Sequence, residues 1–226
     1  MKKLIVAISL VLSGITMTTA QTKATFEGSV IYDMSFDGAN LPPEATAMLK
    51  GSTITTYIKG DKRRMDTSTP VSSQSSIIDE KNKTIINLMD IMGQNYLIKM
   101  NEADVKKESE STPVPTIKYI EETKTIAGYK CKKAEITVKD KDGKEETTTI
   151  FYTEDLPSSD FRPTYKGLKG FPMEFTIDQG GMKITLVATK VSKETVADTK
   201  FDPPKDGYKE TTLEELQKEM LKMGGQ

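Results

Sequence analysis

Apolar residues in this chain recur at every second position in short runs, and that spacing limits the fold more than any other feature. Between residues 25 and 36, Phe26, Val30, Tyr32, Met34 and Phe36 fall on one side, with Thr25, Glu27, Asp33 and Ser35 on the other. Residues 171–178 set Phe171, Met173, Phe175 and Ile177 against Glu174, Thr176 and Asp178. Tyr96, Ile98 and Met100 share a side in the run 94–100, and Ile184, Leu186 and Ala188 do so after residue 183, although Val187 and Val191 make the other side less polar there. Period two is the mark of a strand with one buried face. Asp142-Gly143 and Gly180-Gly181 stand between pairs of such runs and suit the positive φ of tight hairpins. The pattern predicts an antiparallel, meander-like sheet with one apolar face.

Two segments read as helices, which makes the class α+β, mainly β. Residues 41–51 begin with Pro42 and Pro43 and end at Gly51, the asymmetry expected of a helix. Near the C-terminus, Thr212 and Glu215 have capping-box spacing ahead of an apolar stripe of Leu213, Leu216, Met220 and Met223, which stops at Gly224-Gly225. Residues 101–115 are charged and then broken by proline, and read as a solvated connection.

The first twenty residues have a basic start (Lys2, Lys3), an apolar run from Leu4 to Leu12, and small residues before a cut near Ala20. That is the layout of a secretory signal peptide, and the run is too short to span a bilayer. No cysteine follows it as a lipobox requires. A periplasmic or secreted protein is expected, with residues 21–226 forming a single domain and no transmembrane span. Residues 21–226 hold 30 basic and 33 acidic side chains, a net charge of −3. That balance argues against nucleic acid, which needs a basic face to displace counterions from phosphates.

Histidine is absent and cysteine occurs once, at Cys131. Without imidazole there is no Ser-His-Asp or Cys-His pair and no ordinary zinc site. One cysteine excludes an internal disulfide. Lys130 and Lys132 flank Cys131, but strand neighbours point to the opposite face. Packing is the favoured role for the thiol, with intermolecular pairing or redox sensing as the alternatives. No carboxylate pair stands out as an acid/base couple. The chain therefore reads as a non-enzyme, with no cofactor or metal called for.

Two charged clusters have plain readings. Residues 140–146 contain a glycine too early for a calcium loop and fit a hairpin turn. Lys62, Arg63 and Arg64 beside Asp61 and Asp66 read as an edge strand whose charges deter sheet-to-sheet association, or else as an anion site. Ten methionines lie beyond residue 20. Their flexible thioethers suit either core filling or the lining of an adaptable apolar site.

The segments Ile126-Ala-Gly-Tyr-Lys-Cys131, Tyr152-Thr-Glu-Asp-Leu156 and Pro204-Lys-Asp-Gly-Tyr208, in their order along the chain, resemble domain of unknown function 4412, a family of secreted envelope proteins with no assigned activity. In fold, that family is similar to periplasmic lipoprotein carriers of the Lol type. The resemblance implies a curved antiparallel half-barrel with short lid helices, and with it a hydrophobic ligand such as an acyl chain or lipoprotein tail. The candidate lining is then Phe26, Val30, Tyr32, Met34, Met48, Leu49, Tyr96, Ile98, Met100, Met173, Phe175 and Ile177. Burying ~14 methylenes of an acyl tail would release roughly 11 kcal/mol, against an association cost on the order of 4–15 kcal/mol. An apolar hollow alone could hold a lipid. The alternative is a structural or protein-interaction module with a filled core, meeting another envelope protein.

Overall fold

The computed structural model describes residues 26–37, 43–70, 72–91, 93–111, 114–139, 143, 145–158, 166–179 and 182–223. The leader at 1–20, Pro42, Met92, Asp142, Gly180-Gly181 and Gly224-Gly225 lie outside the described residues, as do the side chains of Met220 and Met223. Alternation becomes strand where expected: β1 (Glu27–Asp37), β6 (Gln94–Met100), β10 (Phe171–Gln179) and β11 (Met182–Lys193). Between them lie β2 (Thr53–Lys59), β3 (Lys62–Ser68), β4 (Ser73–Asp79), β5 (Thr84–Ile91), β7 (Thr116–Ile126), β8 (Tyr129–Lys139) and β9 (Glu145–Thr153), and β12 (Lys209–Thr211) closes the series.

These strands make one open, curled sheet in the order β12-β6-β5-β4-β3-β2-β1-β11-β10-β9-β8-β7. It consists of two meanders laid side by side, β1–β6 and β7–β11, joined where β1 pairs antiparallel with β11. β12 alone runs parallel to its neighbour, β6. Gln179 pairs directly with Met182, as a two-residue hairpin turn requires.

The seam between β1 and β11 carries two adjustments. Tyr32 faces Ala188 while Ile31 faces Lys190, so Thr189 is an extra residue. This bulge moves the inward set of β11 from Ile184, Leu186 and Ala188 to Val191, which pairs with Val30. The less polar outer side of this strand is thus partly a register change. At the other adjustment Gly28 comes so close to Ser192 that a Cβ would lie 2.0 Å from its carbonyl oxygen. Only glycine fits there.

Burial follows the pleat. Val30, Tyr32, Ile54, Ile58, Ile184, Leu186 and Ala188 form a cluster across the seam, continued by Phe171, Met173, Phe151, Cys131 and Ile126. On the opposite face of the first meander, Ile77, Leu88 and Leu97 are covered by the chain leaving β11, through Val196, Phe201 and Tyr208. This crossing segment, with its 3₁₀ turn at Asp198–Phe201, acts as a strap that leads the chain from the seam to β12. It is fastened by polar contacts. Lys59 donates to the Val196 carbonyl at 2.8 Å and pairs with Asp198 at 3.1 Å, while Glu27 accepts from the Val196 amide at 2.8 Å. Arg64 donates to Asp66 and to the Lys200 carbonyl, and the Lys200 ammonium lies 3.1 Å from Asp66 and over the Tyr57 ring.

Three helices accompany the sheet among the described residues: α1 (Pro43–Met48), α2 (Glu102–Ser111) and α3 (Leu213–Met223). The helix α2 corrects the expected solvated connection. Asn101 accepts from the amides of Ala103 and Asp104, and Asp104 accepts in return from the Asn101 amide. One apolar residue, Val105, docks it on Ile78 and Ile85. The α3 capping box forms as read, with Thr212 and Glu215 each accepting the other's amide. Of its described stripe, Leu216 is buried against Tyr96 and Ile98, whereas Leu213 is 47% exposed.

Asp66 ties the strap to the sheet, and its acidity reports that. Burial raises its pKa, but hydrogen bonds from Arg64 and Ser75, the Arg64 charge and the Lys200 contact outweigh burial and hold it below the usual carboxylate range. A carboxylate depressed in the folded state stabilises above its unfolded pKa of about 3.9 and loses that contribution as pH falls through the folded value. Asp66→Asn is therefore expected to lower the urea midpoint at neutral pH, and the gap between variant and wild type is expected to narrow in acid. A gap unchanged down to the acid limit would show that Asp66 is not depressed by these contacts.

Candidate binding face

The face of the sheet that carries Val30 and Tyr32 is assembled in rows. Tyr32 stands level with Ala188 on β11 and Ile54 on β2; Met34 with Leu186 and then Phe175; Phe36 with Ile184 and then Ile177. Tyr32 spans the seam: its hydroxyl donates to the Pro172 carbonyl at 2.6 Å, and its ring meets Phe175 edge-on at 6.1 Å. The buried phenol thus has both an apolar body and a satisfied polar tip. Burial fades along the rows. Val30 and Met173 are 0% exposed, Met34, Phe36, Phe175 and Met182 are half-buried, and Ile177 is 42% exposed.

Helix α1 reaches the same end. Its last turn closes with Ser52 donating to the Leu49 carbonyl, and the Met34 amide donates to Ser52. Met48 is 60% exposed there and Leu49 is half-buried. Apolar side chains of β1, β10 and β11 therefore make a partly exposed patch at one end of the seam, the end at which the chain from α1 enters β2.

The twelve residues taken from the sequence divide between two places. Phe26, Val30, Tyr32, Met34, Met173, Phe175 and Ile177 gather at the seam, while Met48 ends helix α1 and Leu49 lies in the turn after it. Tyr96, Ile98 and Met100 lie on β6, five strands from β1, a span of about 24 Å at ~4.8 Å per strand. There Leu216 of α3 covers Tyr96 and Ile98. Phe26, Val30, Tyr32, Met173, Tyr96 and Ile98 are buried by the chain itself.

The basic cluster resolves differently from either reading of it. β3 is an interior strand, paired with β2 and β4, so it is not an edge. Consecutive strand residues face opposite ways, and Arg63 and Arg64 are accordingly divided between the two faces. Arg63 is buried beside Ile58 and Ile78, where its Nε donates to Glu80 at 2.7 Å and Nη2 donates to the Ser158 carbonyl at 2.9 Å. Its Nη1 has no hydrogen-bond partner among the described residues. Arg64 belongs to the strap. Interior β3 tolerates these charges because each guanidinium meets a carboxylate.

Cys131 is fully buried in the seam cluster. Burial pushes its thiol pKa up, against the lowering effect of a backbone hydrogen bond at Ile126 and of the Lys124 charge. A raised pKa and no exposure are the reverse of what nucleophilic sulfur needs. Among the described residues, no group of three or more acids or cysteines is placed to hold a metal ion, and no helix is long and apolar enough to cross a membrane.

Among the described residues the chain thus forms a single curled sheet with a packed seam. The chain belongs to the family described as N-glycanase peptide, N-terminal domain, which matches residues 30–211. The family that the segment ending at Cys131 resembles, domain of unknown function 4412, is not the one matched. Among solved structures, the chain is similar to PNGF-II in two crystal forms: 18% identity with a TM-score of 0.54, and 19% with 0.52. In each case 88% of this chain is covered, but only 33% or 34% of the PNGF-II chain, so the protein spans about a third of their length. The Mycobacterium tuberculosis lipoprotein LppX follows at 11% identity and a TM-score of 0.37, covering 76% of this chain and 89% of its own. No curated protein matches the chain in sequence.

The environment of Cys131 gives a direct expectation. A water-soluble disulfide reagent should leave the thiol unmodified in the native protein and label it fully once the chain is unfolded in urea. Native labelling at the unfolded rate would mean that the thiol is open to solvent.

Proposed function

We propose that the protein is a non-enzymatic binding module of the cell envelope or its exterior, holding a hydrophobic ligand such as an acyl chain or a lipoprotein tail. The observation that carries this reading is the row structure at one end of the seam. There Met34, Phe36, Phe175, Ile177 and Met182 continue a buried apolar face into partial exposure. Contiguous exposed apolar surface on a small domain is a mark of a binding site. About ten methylenes laid on it would release roughly 8 kcal/mol gross, enough to offset much of an association cost on the order of 4–15 kcal/mol.

Three further features support the reading. The leader carries the layout of a secretory signal, which fits an envelope or extracellular location. The family is described by an N-terminal domain, and PNGF-II chains are about three times longer. The likeness to them extends to the fold, and activity does not travel with a fold. Finally, the chain has no histidine, and its one cysteine is buried. Residues 21–226 are read as one domain serving this role.

A second reading is favoured by the packing at the seam. Val30, Met173 and Cys131 are fully enclosed by the chain's own side chains, as in a module that presents its surface to a protein partner and holds no lipid. Mass spectrometry of solvent extracts from the purified protein, with titration of a fluorescent fatty acid, separates the two. The hydrophobic-ligand reading expects co-purified lipid and a loss of at least about tenfold in affinity, some 1.4 kcal/mol, for Phe36→Asp or Ile177→Asp. With neither lipid nor binding, the interaction module would be left.

A further inference from the structure

A second concavity lies away from the seam patch. Three neighbouring strands, β3, β4 and β5, enclose a cleft of about 130 Å³. Its floor is a grid of two cross-strand rows on the face that also carries Tyr32: Met65, Ser76 and Asn87 in one, Thr67, Gln74 and Met89 in the other. Met65 and Met89 occupy opposite corners of the grid.

The lining specifies the chemistry of an occupant. No charged side chain borders the cleft. An ionised guest would shed its hydration without a counter-charge, at a cost that excludes it. The size is that of a single ring, since an apolar cavity of about 150 Å³ accommodates benzene. The thioethers offer soft apolar contact. Polar capacity is also present. Ser76 donates to Asn87 Oδ1 at 2.9 Å, which leaves the Asn87 amide nitrogen with a thioether acceptor, Met100 Sδ, at 3.8 Å. Sulfur is a weak acceptor, so an oxygen in its place would improve that bond. Thr67 and Gln74 make no side-chain hydrogen bond to any described residue.

We propose that this cleft is a binding site for a small uncharged group, about one ring in size and bearing an amide or hydroxyl. Its apolar body contacts Met65 and Met89, and its polar atoms meet Thr67, Gln74 and the Asn87 amide. The cleft is too small for an acyl tail and shares no residue with the seam patch, so it stands independently of the ligand proposed there.

The test is a titration of the full chain, labelled with ¹³C at the methionine methyls, followed by NMR with benzamide, benzoate and toluene as probes. Met65→Leu and Met89→Leu assign the two signals. Benzamide is expected to shift the Met65 and Met89 methyls while those of Met34 and Met182 stay in place. Benzoate should bind at least about tenfold more weakly, and Gln74→Leu, at an exposed position that leaves folding intact, should weaken benzamide several-fold. The proposal is overturned if benzoate or toluene binds as well as benzamide, if Gln74→Leu changes nothing, or if Met65 and Met89 do not respond. A fatty-acid probe added to the same sample reads the seam patch separately, through Met34 and Met182.

Discussion

Everything in this fold depends on the pairing of β1 with β11. Each meander alone is a sequence of hairpins with one free long strand, and the seam turns the two into a single sheet with a continuous core. Its geometry is demanding. Gly28 must be glycine because the Ser192 carbonyl occupies the place of a side chain, and Thr189 must bulge so that Val191 can meet Val30. Tyr32 then bridges β1 to β10 across β11, and Ser29 reaches Glu194 at the head of the strap. The same pairing places the apolar patch and launches the crossing segment.

The two faces of the first meander are covered by different means. On one, Val105 of α2 and Leu216 of α3 are the docked side chains among the described residues. On the other, the strap contributes Val196, Phe201 and Tyr208 together with a network around Asp66 and Lys59. The cleft between β3 and β5 lies on the helix side, next to Met100, which also packs against the α2 cluster.

Much of this was readable beforehand, and the reasons for the rest are physical. Alternation placed β1, β6, β10 and β11 because each buries one face against a core, and the α3 box was local enough to read from Thr212 and Glu215. Helix α2 escaped because Val105 is the one buried side chain among its described residues, although Asn101 and Asp104 spelled out its cap. β3 looked like an edge because its charges were visible and their partners were not: Glu80 is seventeen residues from Arg63. The strap has no period, since its apolar residues act singly. As for the candidate site, alternation shows which seam residues share a face, but nothing local could show that Tyr96 and Ile98 would lie under α3. The cleft was missed because its polar lining comes from serine, threonine and amide side chains that look like ordinary strand exterior.

The seam also determines how the chain must reach this state. Ser29 and Glu194 are separated by 165 residues, so the first strand waits for nearly the last before the core can close. Loop-closure entropy makes such distant pairing slow. Until then β1 presents an unsatisfied, largely apolar ribbon beside a growing meander, ready to pair with any other extended chain. A chain that emerges N-terminus first would carry that hazard until β11 arrives to pair with β1.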